Sequence, residues 1–281
     1  MSRIKVVHVT ELKYSEEATA SYNEVRMLPP TREGQFVMQA SLDISPGATQ
    51  HTYEDFWGSS VCAFEILTPH DELRVTATSV IDVRPSPSRP VEFSWARLKE
   101  RLAISVELTD ALAQTNATEP DEEMTLLAVQ VRDACDHVDA AARAICQRVG
   151  EAMEYRSGVT GVNSTAQEAW AARSGVCQDI AHVTLGVLRE AGIPARYVSG
   201  YLHPEEDAPI GQTVAGESHA WVEWYAGQWR GYDPTNLIDI CDRHVYIAHG
   251  RDYSDVAPLR GVYAGKGTSE LFVRVDLTKL G

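Results

Sequence analysis

Three residues of this sequence, Cys177, His219 and Asp233, have the types needed for a thiol nucleophile, a base and a group that orients that base. The thiolate, not the thiol, is the attacking species, so a nucleophilic cysteine needs surroundings that favour an anion. Cys177 lies in the stretch 174–194, SGVCQDIAHVTLGVLREAGIP, close to where a helix should begin. Unpaired backbone N–H groups and the positive end of the helix dipole gather in a first turn, and both favour negative charge. A lone cysteine is also at home as a small buried apolar residue, so position alone does not decide its role.

The elements that must hold these groups can be read from punctuation and periodicity. Ser174 is the expected N-cap, and Gly192-Ile193-Pro194 is a strong stop, which predicts a helix from about Gly175 to Ala191. Its apolar residues Ile180, Ala181, Val183, Leu185, Val187 and Leu188 go nearly all round, so it should be buried on most sides. The segment 217–236, ESHAWVEWYAGQWRGYDPTN, reads as two strands joined at Tyr225-Ala226-Gly227. With a three-residue loop and Gly227 left-handed, Glu223 or Trp224 should pair near Gln228, and His219 and Asp233 should share a face. A two-residue loop would separate them.

GVCQDIAH, AGIPARYVSGY, SHAWVEWY and GYDPTN together resemble the core of the transglutaminase-like superfamily, whose members use a Cys-His-Asp triad on a papain-like fold. The resemblance implies Cys177 as nucleophile, His219 as base and Asp233 as orienter. Upstream, SYNEVR (21–26), DFWG (55–58) and PHDEL (69–73) are similar to the N-terminal β-domain of a bacterial branch, as is the later RDYSDVAP (251–258). That branch usually carries Gly-Asn where this chain has Gly58-Ser59, a change at a turn remote from the three residues.

The expected fold class is therefore α+β, with an N-terminal antiparallel β-sandwich-like domain over 1–85, a linker and helical connection over 86–137, and a papain-like core over 138–281. Strand-like runs 4–10, 35–44, 60–67 and 73–83, separated by turn signals, support the first part. PSPSRP (85–90) reads as a linker, Trp95 to Thr109 as a short helix or irregular, and Asp139 to Tyr155 as a clear helix. The tail Glu270 to Leu277 is expected to complete the sheet that carries His219. RDYSDVAP is expected either to cover the cleft rim or to pack across the domain junction. The loop 203–218, rich in acid, Gly and Pro, should be exposed and mobile.

Other residues near the nucleophile have plainer readings. Tyr155 and Trp170 are better read as packing than as oxyanion donors, and the backbone N–H of Cys177 is the more secure donor. Asp179 should support the helix start and His182 should brace the core. Asn23, Glu24 and Arg26 read as a polar brace or an interface.

Composition bounds the rest: 281 residues, 44% hydrophobic and 23% charged, suit a globular protein of two domains. A formal charge of −15 argues against nucleic acid, whose phosphates need a basic surface. No leader or spanning segment stands at the N-terminus, and the five cysteines lack disulfide-like spacing, so a cytoplasmic, reducing location without membrane attachment is expected. Nine histidines include no His-x-x-x-His pair, and phosphate-binding glycine loops are absent, so no metal and no cofactor is implied.

The expected reaction is acyl transfer from a peptide or amide through a thioester. No sequence signal marks a groove for a lysine-like amine, which makes hydrolysis the expectation. Protein-glutamine cross-linking and a non-catalytic binding module are the alternatives.

Overall fold

Alternation of apolar and polar residues between Ser2 and Val83 produces six strands, β1 (Ser2–Ala18), β2 (Ala20–Val25), β3 (Gln35–Ser45), β4 (Thr49–Glu54), β5 (Ser60–Ile66) and β6 (His70–Val83). The computed structural model describes residues 1–84, 89–158, 161 and 164–281, so most of the PSPSRP linker lies outside the described residues. Helices follow: α1 (Trp95–Leu102), α2 (Val106–Asp110), α3 (Glu122–Ala134) and α4 (Val138–Ala152). Next come β7 (Glu154–Tyr155), α5 (Ala166–Ala172), β8 (Ser174–Gly175) and α6 (Cys177–Glu190). The strands β9 (Ala195–Leu202), β10 (Thr213–Gly216), β11 (Ser218–Tyr225), β12 (Trp229–Asp233), β13 (Ile238–Asp239) and β14 (His244–Gly250) precede α7 (Tyr253–Val256), β15 (Leu259–Ala264) and β16 (Ser269–Lys279). No helix among the described residues is long and apolar enough to cross a membrane.

Two antiparallel sheets, ordered β10-β16-β1-β6-β3 and β15-β2-β5-β4, enclose a core that includes Tyr14, Val25, Phe64, Ile66, Leu73 and Val75. This is the sandwich-like half. Its sequence motifs serve as a polar brace: Arg26 Nε donates to Asp55 Oδ2 at 3.0 Å, and Asp55 Oδ1 accepts the backbone N–H of Trp57 and Ser59 at 3.0 and 2.9 Å. His70 Nε2 and Ser21 Oγ meet at 3.1 Å.

The C-terminal strands correct the expected arrangement. The tail does not complete the sheet of His219; β16 pairs along its length with β1, from Ile4↔Lys279 to Tyr14↔Ser269, while β15 pairs with β2. A 17-residue strand such as β1 would otherwise present a long open edge beside β6, and β16, of 11 residues with Val275 and Leu277 buried, covers it. The span 259–279 thus sits with the N-terminal sheets and not with the segment expected from 138. Helix α3, expected in the connection, puts Met124, Ala128 and Val131 into the core around α6.

That core is organised on α6, nearly every residue of which is buried, as its all-round apolar pattern predicts. It packs against α3, α4, α5, β9 and β11. Buried Arg189 locks its far end by donating to the carbonyls of Ala111, Ala195 and Arg251. The sheet that carries His219 has the order β13-β12-β11-β9-β14. Asp139 at the start of α4 ties the helices to this sheet, accepting from Trp224 Nε1 at 3.1 Å and pairing with Arg230 at 2.7 Å.

Gly227, at φ +85°, closes the β11–β12 hairpin in the left-handed region, as the turn requires. The pairing is shifted from the expected one: Tyr225 stands opposite Trp229, and Gln228 belongs to the loop. Because the loop still has three residues, His219 and Asp233 keep the same face.

Gly200 of β9 lies opposite His219, and a Cβ there would come within 2.1 Å of the Val245 carbonyl oxygen and 2.5 Å of the Trp221 ring. Gly200→Ala is expected to destabilise the protein by about 1–3 kcal/mol, through overpacking that the backbone cannot relieve. Thermal denaturation, with Trp fluorescence reporting on Trp221, measures it.

Candidate active site

Helix α6 opens two residues later than the Ser174 cap would place it. Its N-cap is Val176, which has no side-chain acceptor, and Asp179 reaches back so that its Oδ2 accepts the Val176 N–H at 2.8 Å. Ser174 is instead held in a parallel pair with Glu154, and Tyr155 with Gly175, in β7 and β8. That pairing carries Tyr155 to the mouth of the helix. Cys177 is the first helical residue and half-buried, with its thiol on a cleft of about 730 Å³ that Tyr155, Leu202, Glu217, His219, Asn236 and Arg243 help to line.

His219 and Asp233, from neighbouring strands, meet at 2.7 Å between Nε2 and Oδ2. This leaves Nδ1 free of Asp233, and Cys177, on the same cleft, is close enough to help raise the His219 pKa. Burial on its own pushes the His219 pKa down, but hydrogen bonds and opposite charge from Asp233 and Cys177 outweigh it and raise the value to about 9. Burial likewise opposes ionisation of Asp233, and hydrogen bonds from His219, His244 and Asn236 overcome it, holding the carboxyl well below the usual carboxylate range. The structure therefore brings together all three residues that the sequence singled out.

Two further residues were not anticipated. Asn236 Nδ2 donates to Asp233 Oδ2 at 2.8 Å, while the backbone N–H groups of Thr235 and Asn236 donate to Oδ1 at 3.0 and 3.1 Å. The DPTN turn was visible as a signal for such local bonding. His244, which opens β14, places Nε2 3.3 Å from the same Oδ2, and only tertiary pairing brings it there. The ligand-capable atoms of His219, Asp233 and His244 lie within 4.8 Å of one another and are the described group best able to hold a metal ion. Their mutual hydrogen bonds already engage those atoms.

His182 and Trp170 fall where their plainer readings put them, whereas Tyr155, read as packing, is exposed and lines the cleft beside Cys177. His182 accepts the Tyr253 backbone N–H at 3.1 Å and packs on the Tyr197 ring, with desolvation lowering its pKa to about 4. Trp170 is buried under the Arg173 guanidinium, 3.6 Å from its ring centroid, and is not part of the cleft lining. RDYSDVAP packs across the junction instead of covering the rim: Arg251 lies 5.7 Å from the Trp57 ring centroid, and its carbonyl accepts from Arg189. Glu205, Glu206 and Asp207 are exposed, whereas Thr213–Gly216 of the same loop is an edge strand on β16, and its end lines the cleft. All five cysteines are free thiols.

Residues 126–234 match the model of the transglutaminase-like superfamily, and residues 4–82 match that of the bacterial transglutaminase-like N-terminal region. An uncharacterized protein of Mycobacterium leprae is 42% identical over 284 residues, covering all of both chains. The chain belongs to the transglutaminase-like superfamily. A crystal structure of a candidate cysteine protease from Cytophaga hutchinsonii shares the fold, with a TM-score of 0.77 at 20% identity over 100% of this chain and 92% of that one. A protein-glutamine gamma-glutamyltransferase of Pseudomonas aeruginosa is 34% identical over 120 residues, 40% of this chain and 18% of that protein.

A half-buried thiol that opens onto a cleft at a helix mouth, with an imidazole on the same cleft, is placed to attack a carbonyl. Cys177 is expected to react with iodoacetamide at neutral pH well ahead of Cys62, Cys135, Cys146 and Cys241, of which Cys146 is wholly buried. Peptide mapping by mass spectrometry on folded protein gives the order. Equal labelling of all five would remove the argument for a prepared nucleophile.

Proposed function

We propose that this superfamily member is a cysteine-dependent peptidase or amidase, carrying out acyl transfer to water on a peptide or protein substrate. The observation that carries the reading is that Cys177 and His219 line one cleft, with His219 held by buried Asp233 behind it at 2.7 Å. His219 Nδ1 takes the thiol proton, and Cys177 Sγ attacks the amide carbonyl carbon. The oxyanion is held by the Cys177 backbone N–H, which needs no reorganisation as charge develops. The C–N bond then breaks, and the imidazolium gives its proton to the departing amine, leaving a thioester. Water, deprotonated by His219, attacks the thioester, and the acid leaves as Cys177 recovers its proton. Asp233 keeps the Nε2–H tautomer and stabilises the imidazolium throughout.

Water is the proposed acceptor because the acyl group at Cys177 sits on an open cleft. The similarity to a gamma-glutamyltransferase makes an amine the competing acceptor. Incubating purified protein with a cleavable peptide, with and without excess primary amine, and weighing the products separates the two. Mainly hydrolysed product is expected, while mainly amine-coupled product at modest amine concentration would overturn hydrolysis and leave the roles of Cys177, His219 and Asp233 in place. The free thiols support a reducing, cytoplasmic setting, and the acidic charge supports a protein substrate over nucleic acid or an anionic membrane.

A further inference from the structure

We propose that His244 is a positioning residue for this reaction: from a third strand it fixes the Asp233 carboxylate and draws charge from it, which sets how strongly Asp233 holds the His219 proton. The inference rests on the reading of Cys177, His219 and Asp233 given above. His244 is fully buried as a side chain and puts Nε2 3.3 Å from Asp233 Oδ2, the same oxygen that meets His219. Its Nδ1 meets Cys241 twice, accepting the backbone N–H at 3.2 Å and lying 3.4 Å from the thiol Sγ. Nδ1 is therefore the acceptor, and the proton rides on Nε2, aimed at Asp233. The Trp221 ring stands edge-on to the imidazole, with centroids 5.3 Å apart at 77°, and holds its plane.

The carboxylate is consequently bound at both oxygens. Oδ1 accepts two backbone N–H groups, and Oδ2 accepts from His219, His244 and Asn236. A donor on Oδ2 other than His219 withdraws charge that would otherwise bind the imidazolium, so His244 restrains the basicity of His219 while keeping its partner in one rotamer. The titratable and charged groups around this unit are Cys177 on α6, Cys241 beside His244, and Tyr155, Glu217 and Arg243 along the cleft.

A nearly isosteric pair of substitutions tests the role. In His244→Gln the amide N–H₂ can stand in for Nε2–H, whereas His244→Met fills the same space with no donor. Titration of the His219 ring by NMR, against a wild-type midpoint of about 9, is the deciding measurement. His244→Met is expected to move that midpoint up by roughly half a unit and to lower kcat/KM on a peptide about tenfold, in keeping with a lost bond to a charged group. His244→Gln should retain the wild-type midpoint and most of the rate. Cys241→Ser should change neither, because the backbone N–H stays on Nδ1 and a serine hydroxyl can donate there as the thiol does.

If both His244 variants keep the wild-type midpoint, or if His244→Gln and His244→Met lose rate equally with no change in it, His244 is a packing residue and the proposal fails. Absence of peptide turnover in the wild-type protein would count against the proposed reaction alone, since the ring titration still reports on His244.

Discussion

Asp233→Asn is expected to lower turnover about ten-thousandfold while the protein still folds, the effect of supplying the wrong tautomer to a base. The asparagine oxygen can replace Oδ1 and keep the backbone N–H groups of Thr235 and Asn236 satisfied, so the turn survives. Its NH₂ must then take the place of Oδ2, where His219 Nε2–H, His244 Nε2–H and Asn236 Nδ2 all donate. Donor would face donor. The cheapest escape is for His219 to move its proton to Nδ1, which directs an N–H at Cys177 and removes the base. Activity on a peptide, together with a thermal melt close to wild type, measures the claim. A variant retaining a tenth of the activity would show that Asp233 is not the orienter.

Cys177→Ala is expected to abolish turnover, a loss on the order of a millionfold, because it removes the sulfur that forms the acyl bond. It carries a second consequence for pH. The His219 pKa stands near 9, above its ordinary 6.5, and Cys177 is one of the two partners that raise it. A histidine raised on folding contributes stability that is fully present below about 6.5 and is lost as pH rises through 9. Without Cys177 the folded midpoint should fall, so the variant loses this contribution at lower pH than wild type does. NMR titration of the His219 ring and stability measured between pH 6 and pH 10 decide it, and an unchanged midpoint would mean that Cys177 does not contact the ring.

Much of this arrangement was legible because the signals are local. The stop at Gly192-Ile193-Pro194, the all-round apolar character of α6 and the glycine of the hairpin turn each act over a few residues, and each places one group. The start of α6 was misread because a serine near a helix mouth is a good cap in isolation, whereas Asp179 supplies that bond from inside the first turn. His244 and the partner of β16 were hidden for a different reason. Nothing in the composition of HVYIAHG says that its first residue will end beside Asp233, since that follows from the place of β14 next to β9. The strand pattern of 270–277 declares a strand but not its neighbour, and the long open edge of β1 decided that.

The position of β16 also bears on how the chain is made. Ile4 pairs with Lys279, and the Arg3 N–H donates to the Gly281 carbonyl, so β1 finds its second neighbour only when β16 has been synthesised. Ile4, Val6, Ile81 and Val83 meanwhile belong to the same continuous core as α6. Loop closure over such a span is slow, and an edge left unpaired is open to the wrong partner. The N-terminal half therefore cannot finish as an independent early unit. Until β16 is made, β1 can pair only with β6, and its other edge stays open while the helices and the sheet of His219 are synthesised.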